Sequence, residues 1–258
     1  MMTRPPLPQA FLHAPIARRA LHDLTQGRPE NSREAIEAAV AAGFGIEIDL
    51  QPSSDGVAMV FHDNTLDRLT GETGPIKART AAALAAIPLT GGPSGIPTFA
   101  EVLEIVAGRV PLLVEIKDQD GQMGDNIGAL EAAAAETAKD YDGPLAFMSF
   151  NPHSAARMAA LAPDTPRGLI TAAYDPKDWR MLSAETCAHL AMIPDMDPAE
   201  ASFISHHAPD LGRARVREIA AQGWPVLCWT IRSAEAEAEA RQLADNVTFE
   251  GYPAAIPA

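Results

Sequence analysis

The sequence predicts an α/β protein: a TIM (β/α)8 barrel with a small loop-rich insertion, forming one domain over residues 1–258. Three observations predict it. Short β-like runs alternate with helix-like runs along the whole chain. The β-like runs are mostly apolar rather than alternating, which suits parallel strands buried on both faces. A chain of 258 residues also has the length of a single barrel of this kind.

Taken in order, a β-like run at 15–20 (PIARRA) precedes a helix at 32–43. The runs at 46–50 (IEIDL) and 57–61 (VAMVF) follow, then a helix at 98–108, a strand at 111–116 and a helix at 129–141. Strand 144–150, helix 152–162, strand 167–171 and a helical segment around 178–191 come next. Strand 203–207, helix 215–223, strand 226–231, helix 234–244 and strand 246–252 complete the chain. Helices are expected to start after Asn31-Ser32 and Pro97-Thr98 and to stop at Gly43, Gly108, Gly143 and Gly223. This makes nine strand-like runs where a barrel needs eight. The turn Ser53-Ser54-Asp55-Gly56 is too short for a helix, so either one crossover is missing or one strand is accessory. Residues 64–96 read as the insertion, without a core of its own. Their GGPSG lacks the Gly-Lys-Ser/Thr ending of a phosphate-binding P-loop, and no GxGxxG follows a strand.

Composition narrows the function. A formal charge of −14 disfavours nucleic acid and anionic membrane surfaces, both of which reward Lys and Arg. A small anionic substrate remains compatible where local cations or a metal reverse the field. No apolar run is long enough for stable membrane insertion, and the amino-terminal stretch lacks an apolar leader segment. Cys187 and Cys228, far apart in sequence, make neither a disulfide framework nor a zinc site, and a cytoplasmic location is expected. The sequon Asn246-Val247-Thr248 has no meaning in that compartment.

In a barrel of this type the chemistry collects at the carboxyl ends of strands. The polar residues there are Arg18 and Arg19; Glu47 and Asp49; His62 and Asp63; Glu115 and Lys117; Ser149; His206 and His207; and Trp229. Glu47 and Asp49 share strand parity and face one way. Three inward carboxylates, Glu47, Asp49 and Glu115, repel one another unless a cation sits among them, and oxygen donors favour Mg²⁺ or Ca²⁺ over zinc. The plain alternative is a structural ion network with Lys117 or Arg19. His62 ends a buried run and is suited to proton exchange. His206 and His207 are read as structural, and the Met residues as core filler.

In this order the motifs resemble the glycerophosphodiester phosphodiesterase family over nearly the full chain. They are Pro29-Glu30-Asn31, Glu47-Ile48-Asp49, His62-Asp63, Glu115-Ile116-Lys117, Ser149-Phe150 and Trp229-Thr230. One motif departs: the family's HRG is Arg18-Arg19-Ala20 here, so Arg18 stands where the family has its first catalytic histidine. The resemblance implies a divalent metal, Mg²⁺ or Ca²⁺, on Glu47, Asp49 and Glu115, and phosphate contacts from Arg19 and Lys117. It further implies that Glu30 supports the site, that His62 is one of two acid-base histidines, and that Trp229 walls a glycerol pocket. The implied reaction is hydrolysis of a glycerophosphodiester to glycerol phosphate and an alcohol. A guanidinium is always protonated and cannot act as a base, so Arg18 is expected to slow or alter turnover. His22, four positions on, is a candidate replacement. Two other readings are a non-catalytic phosphodiester- or glycerol-phosphate-binding member of the same family, and a Schiff-base enzyme built on Lys117. Nearby carboxylates argue against the second, because they would not lower the lysine's pKa.

Overall fold

The computed structural model describes residues 4–257; the first three residues of the amino-terminal stretch read above as leaderless lie outside them. Nine strands form: β1 (Ile16–Ala17), β2 (Gly45–Pro52), β3 (Ala58–Val60), β4 (Leu112–Ile116), β5 (Leu145–Ser149), β6 (Arg167–Thr171), β7 (Phe203–His207), β8 (Val226–Ile231) and β9 (Asn246–Phe249). Eight of them pair in parallel and close into a barrel when β1 bonds both β2 and β9. The ninth is β3, which runs antiparallel to β2 with Leu50 opposite Val60. The short turn at 53–56 therefore makes a hairpin arm outside the barrel rather than a missing crossover.

The helices are α1 (Arg33–Ala42), α2 (Ala81–Ala85), α3 (Phe99–Val106), α4 (Ala129–Ala138), α5 (Pro152–Leu161), α6 (Ala184–Ala191), α7 (Ala214–Ala221) and α8 (Ala234–Ala240). All but α2 connect successive barrel strands. Their starts carry the expected chemistry. Ser32 Oγ accepts from the Ala35 N–H at 3.1 Å, and Thr98 with Glu101 forms a capping box. At the end of α1, Gly43 adopts φ 77°, a left-handed conformation that suits glycine. α6 begins at Ala184, later than the residue 178 read from sequence, because residues 172–182 form the loop that follows β6.

Strand parity sorts the side chains. Ile46, Ile48 and Leu50 point out toward the helices and join the large core with Ile36, Phe99, Val102 and Val106. The residues between them point inward. The lower barrel interior is an apolar plug of Ile16, Leu113, Ala146, Phe203 and Leu227, closed by Phe11. Above it the interior turns acidic, with Glu47, Asp49 and Glu115 all buried. The insertion corrects the expectation that it lacks a core. Leu66, Ile76, Leu84, Ile87, Leu89 and Ile96 pack on Met59 and Phe61 of the hairpin arm as a separate cluster. Their spacing follows neither helical nor strand period, so only the folded loop gathers them.

Asn246, the sequon asparagine, is fully buried on β9 and donates to the carbonyls of Phe11 and Ala14, both at 2.7 Å. Its amide ties the plug to the barrel. Cys187 and Cys228 are both free and buried.

Candidate active site

The site grows from β2 and β4. Asp49 and Glu115 are register partners, and Glu47 lies one pleat below Asp49 on the same inward face. One carboxylate oxygen from each of the three lies within 4.8 Å of the others. The three carboxylates that the sequence set on inward strand faces thus converge. Their electrostatics differ. Burial, with the charges of Asp49 and Glu115, pushes the Glu47 carboxyl up to about 8. Burial also raises Glu115, although Lys117 opposes the rise. Burial works in the same direction on Asp49, but the Lys117 cation, His62 when it is protonated, and the Arg19 cation outweigh it and hold Asp49 well below the usual carboxylate range.

Lys117 stands just past β4, and its Nζ is 2.7 Å from both Asp49 Oδ1 and Glu115 Oε1. Part of the ion network considered above is therefore present. It does not reach Glu47, whose carboxylate accepts the Arg19 main-chain N–H at 2.8 Å. The cluster fits a hard dication: three buried oxygen donors converge, and burial with the neighbouring carboxylates raises Glu47, where the protein's own cations leave negative charge uncompensated.

Arg19 and Asn31 both adopt positive φ, at 51° and 58°. Arg19 Nη1 donates to Glu30 at 2.8 Å, and its Nε lies 3.7 Å from Asp49. That Nε is buried without a hydrogen-bond partner among the described residues. Asn31 Nδ2 donates to Asp49 Oδ2 at 2.8 Å, an anchor the residue-by-residue reading missed although it lies in the Pro-Glu-Asn motif. Arg68 was also missed. It donates to both oxygens of Glu30 and both of Asp63 at 2.7 to 2.9 Å, and comes from the insertion, where no motif marks it.

His62 sits past the end of β3. Its Nδ1 is 2.6 Å from Asp63 Oδ1, which leaves Nε2 free of that contact. Burial lowers the imidazole to about 4, with the Lys117 and Arg19 cations reinforcing it against Asp49. The ring is therefore neutral near pH 7. Hydrogen bonds from Arg68 and His62 override burial and hold Asp63 at about 2.

A cavity of 160 Å³ lies over these groups, lined by Arg18, Glu47, His62, Glu115 and Lys117 on its polar side. The apolar side comprises Met148, Phe150, Ile170 and Trp229. Trp229 is fixed by Nε1 donating to the Ser205 carbonyl at 3.0 Å and by edge packing on Phe150 at 5.5 Å between centroids. Ser205 and Thr248 line the same cavity with buried hydroxyls that have no partner among the described residues. Ser149 takes a structural part, donating to the Ile116 carbonyl at 2.7 Å. His206 bonds Thr171 and His207 bonds Asp210; neither lines the cavity, although the His207 ring packs against its wall residue Trp229 at 4.9 Å between centroids.

Arg18 lines the cavity but pairs outward, with Nη1 2.9 Å from Glu250 Oε2. His22 lines a neighbouring cavity and lies 3.7 Å from that same carboxylate. It is not among the residues lining the cavity that Arg18 lines.

A parallel barrel with acids, arginines, a lysine and a histidine around one cavity at its carboxyl rim defines a TIM-barrel enzyme built for an anionic substrate. The model of the Glycerophosphoryl diester phosphodiesterase family matches residues 23–248, and the chain belongs to that family. It is an enzyme of the phosphoric diester hydrolase class. The Bacillus subtilis protein YhdW is 25% identical over 234 residues, covering 87% of this chain and 90% of its own. The glycerophosphodiester phosphodiesterase of Caldanaerobacter subterraneus is 31% identical over 162 residues, covering 59% of this chain and 65% of its own. Among solved structures, an Oleispira antarctica phosphodiesterase in complex with the product sn-glycerol-3-phosphate superposes with a TM-score of 0.74 at 27% identity, covering 95% of each chain. No helix among the described residues is long and apolar enough to cross a membrane.

Proposed function

We propose that the chain hydrolyses glycerophosphodiesters to glycerol phosphate and an alcohol, with Mg²⁺ or Ca²⁺ held by Glu47, Asp49 and Glu115. The observation that carries this is the convergence of those three buried carboxylates beneath a cavity edged by Arg18, Lys117 and His62. The Oleispira relative's complex with sn-glycerol-3-phosphate supports a substrate of this chemistry. Bound there, the dication offsets negative charge building on the phosphoryl oxygens. Arg19 and Lys117 add fixed positive charge for the same oxygens. Both are held by acids, Arg19 by Glu30 and Lys117 by Asp49 and Glu115, so they are oriented before substrate arrives. Glu30 supports the site by tying Arg19 to Arg68.

The proton chemistry falls to His62. Asp63 takes its Nδ1 side, so the Nε2 lone pair of the neutral ring accepts the nucleophile's proton and returns it to the leaving alkoxide. In the family a second histidine shares this work, and Arg18 cannot. The phenylalanine, isoleucine and tryptophan side of the cavity receives the glycerol carbons, with Trp229 as its wall.

Arg18 favours a second reading, in which the site binds the phosphodiester or glycerol phosphate without turnover. One assay separates the two: a panel of glycerophosphodiesters given to the natural chain and to Arg18→His, each with and without chelator. We expect chelator-sensitive hydrolysis by the natural chain, raised at least about tenfold by Arg18→His. Rapid natural turnover unchanged by Arg18→His would remove the role given to Arg18. Binding of glycerol phosphate with no turnover under Mg²⁺ or Ca²⁺ would establish the binding reading.

A further inference from the structure

We propose that Glu250 is the positioning residue of Arg18: it holds the guanidinium at the edge of the cavity, clear of Glu47, where it contacts a phosphate oxygen. This rests on the phosphodiesterase reading and adds a residue that none of the family motifs marked. Glu250 directly follows β9, and its main chain is fixed by the N–H bond to the Ile231 carbonyl at 3.0 Å. Arg18 directly follows β1, and its N–H bonds the Phe249 carbonyl at 2.9 Å. The closure of the barrel between its first and last strands therefore sets these two side chains next to each other.

The carboxylate of Glu250 serves three cationic or potentially cationic groups. Oε2 meets Arg18 Nη1 at 2.9 Å and His22 Nε2 at 3.7 Å, while Oε1 meets Arg232 Nη2 at 2.6 Å. Arg232, its side chain 65% exposed, pairs with the carboxylate from the solvent side, and the carboxylate holds Arg18; His22 at 3.7 Å is beyond hydrogen-bond distance. Within the guanidinium only Nη1 is used; its Nε and Nη2 have no hydrogen-bond partner among the described residues. An arginine side chain is long and adopts many rotamers, so an unanchored one would be drawn to any nearby carboxylate. The one at hand is Glu47, whose side chain makes no ion pair among the described residues and receives the Arg19 N–H. A pair between Arg18 and Glu47 would block the phosphate site and remove one of its oxygen donors. Glu250 prevents that pairing and leaves part of the guanidinium facing the ligand. A fixed guanidinium also favours the dianionic phosphomonoester product over the monoanionic diester, because charge-assisted bonds strengthen with charge.

The test is a double-mutant cycle on the full chain. Dissociation constants for sn-glycerol 3-phosphate are measured by calorimetry in chelator, and KM and kcat for glycerophosphoethanolamine with Mg²⁺. Glu250→Gln is expected to weaken glycerol phosphate binding and raise KM, each by about five- to tenfold, with a smaller change in kcat and an unchanged melting temperature. In an Arg18→Ala background the same substitution is expected to have no further effect. Should Glu250→Gln fail to fold, Glu250→Asp, which keeps the charge at a shorter reach, is expected to show a smaller change that Arg18→Ala again abolishes. Native affinity in Glu250→Gln, or a loss that persists in the Arg18→Ala background, overturns the proposal while leaving the phosphodiesterase reading intact. A natural chain that neither binds glycerol phosphate nor hydrolyses the diester overturns both.

Discussion

Asn31 meets two demands at once. Its backbone sits at φ 58°, a region where asparagine is tolerated better than most residues, and its amide holds Asp49 at 2.8 Å. Replacing it with alanine removes a donor from a buried carboxylate and strains the turn. We expect Asn31→Ala to cost about 1–3 kcal/mol of stability, read by urea unfolding, and to reduce hydrolysis as Asp49 loses its orientation. Unchanged unfolding would show that Asp49 does not depend on it. Residues whose partners lie within one motif, such as Glu47 with Asp49 or His62 with Asp63, were legible in the sequence because parity and adjacency set their directions. Arg68 and Glu250 were not. Glu250 meets Arg18 from 232 positions away, and Arg68 joins nearby Asp63 to Glu30, which is 38 positions away, so no local spacing reveals either link.

At the scale of the element, β6 shows how the strands tolerate a packed interior. Gly168 faces Phe203 of β7 in register, and a Cβ there would come within 2.4 Å of the phenylalanine ring. Glycine is needed here for space rather than for backbone freedom. Gly168→Ala is expected to cost about 1–3 kcal/mol through overpacking, visible as a lower melting temperature. A melting temperature equal to the native one would mean the Phe203 ring moves aside freely. Strand identity was readable because a parallel strand buried on both faces is apolar throughout. The run at 57–61 has the same composition, so composition did not mark it as the accessory strand; its pairing with β2 decides that. The insertion was misread for a related reason. Its apolar residues have no period, yet they form a cluster once the hairpin arm supplies Met59 and Phe61.

For the whole molecule, acid stability offers a test. His206 is fully buried against Thr171, and burial lowers its imidazole to about 4. In the unfolded chain the ring takes its proton near pH 6.5, so the unfolded state binds more protons between those values. The stability tied to the neutral ring is thus present above about pH 6.5 and is lost as pH falls toward 4, amounting to about 3 kcal/mol. His206→Asn removes the titration. The stability difference between native and variant chains, read by urea unfolding across this window, is expected to shift in the variant's favour on acidification; a constant difference would contradict the assignment.

By itself the sequence determined the repeating β-α order, the apolar parallel strands, the acidic pair on β2 and the ordered motifs of a phosphodiesterase barrel. Each of these depends on residues near one another along the chain. Only the tertiary structure decided which strand lies outside the barrel, that Lys117 bridges Asp49 and Glu115 while Glu47 stays clear, and that Arg18 turns to Glu250. The physical reason is closure. A barrel brings its first and last strands together, so contacts between residues 18 and 250 exist only when the ring is complete.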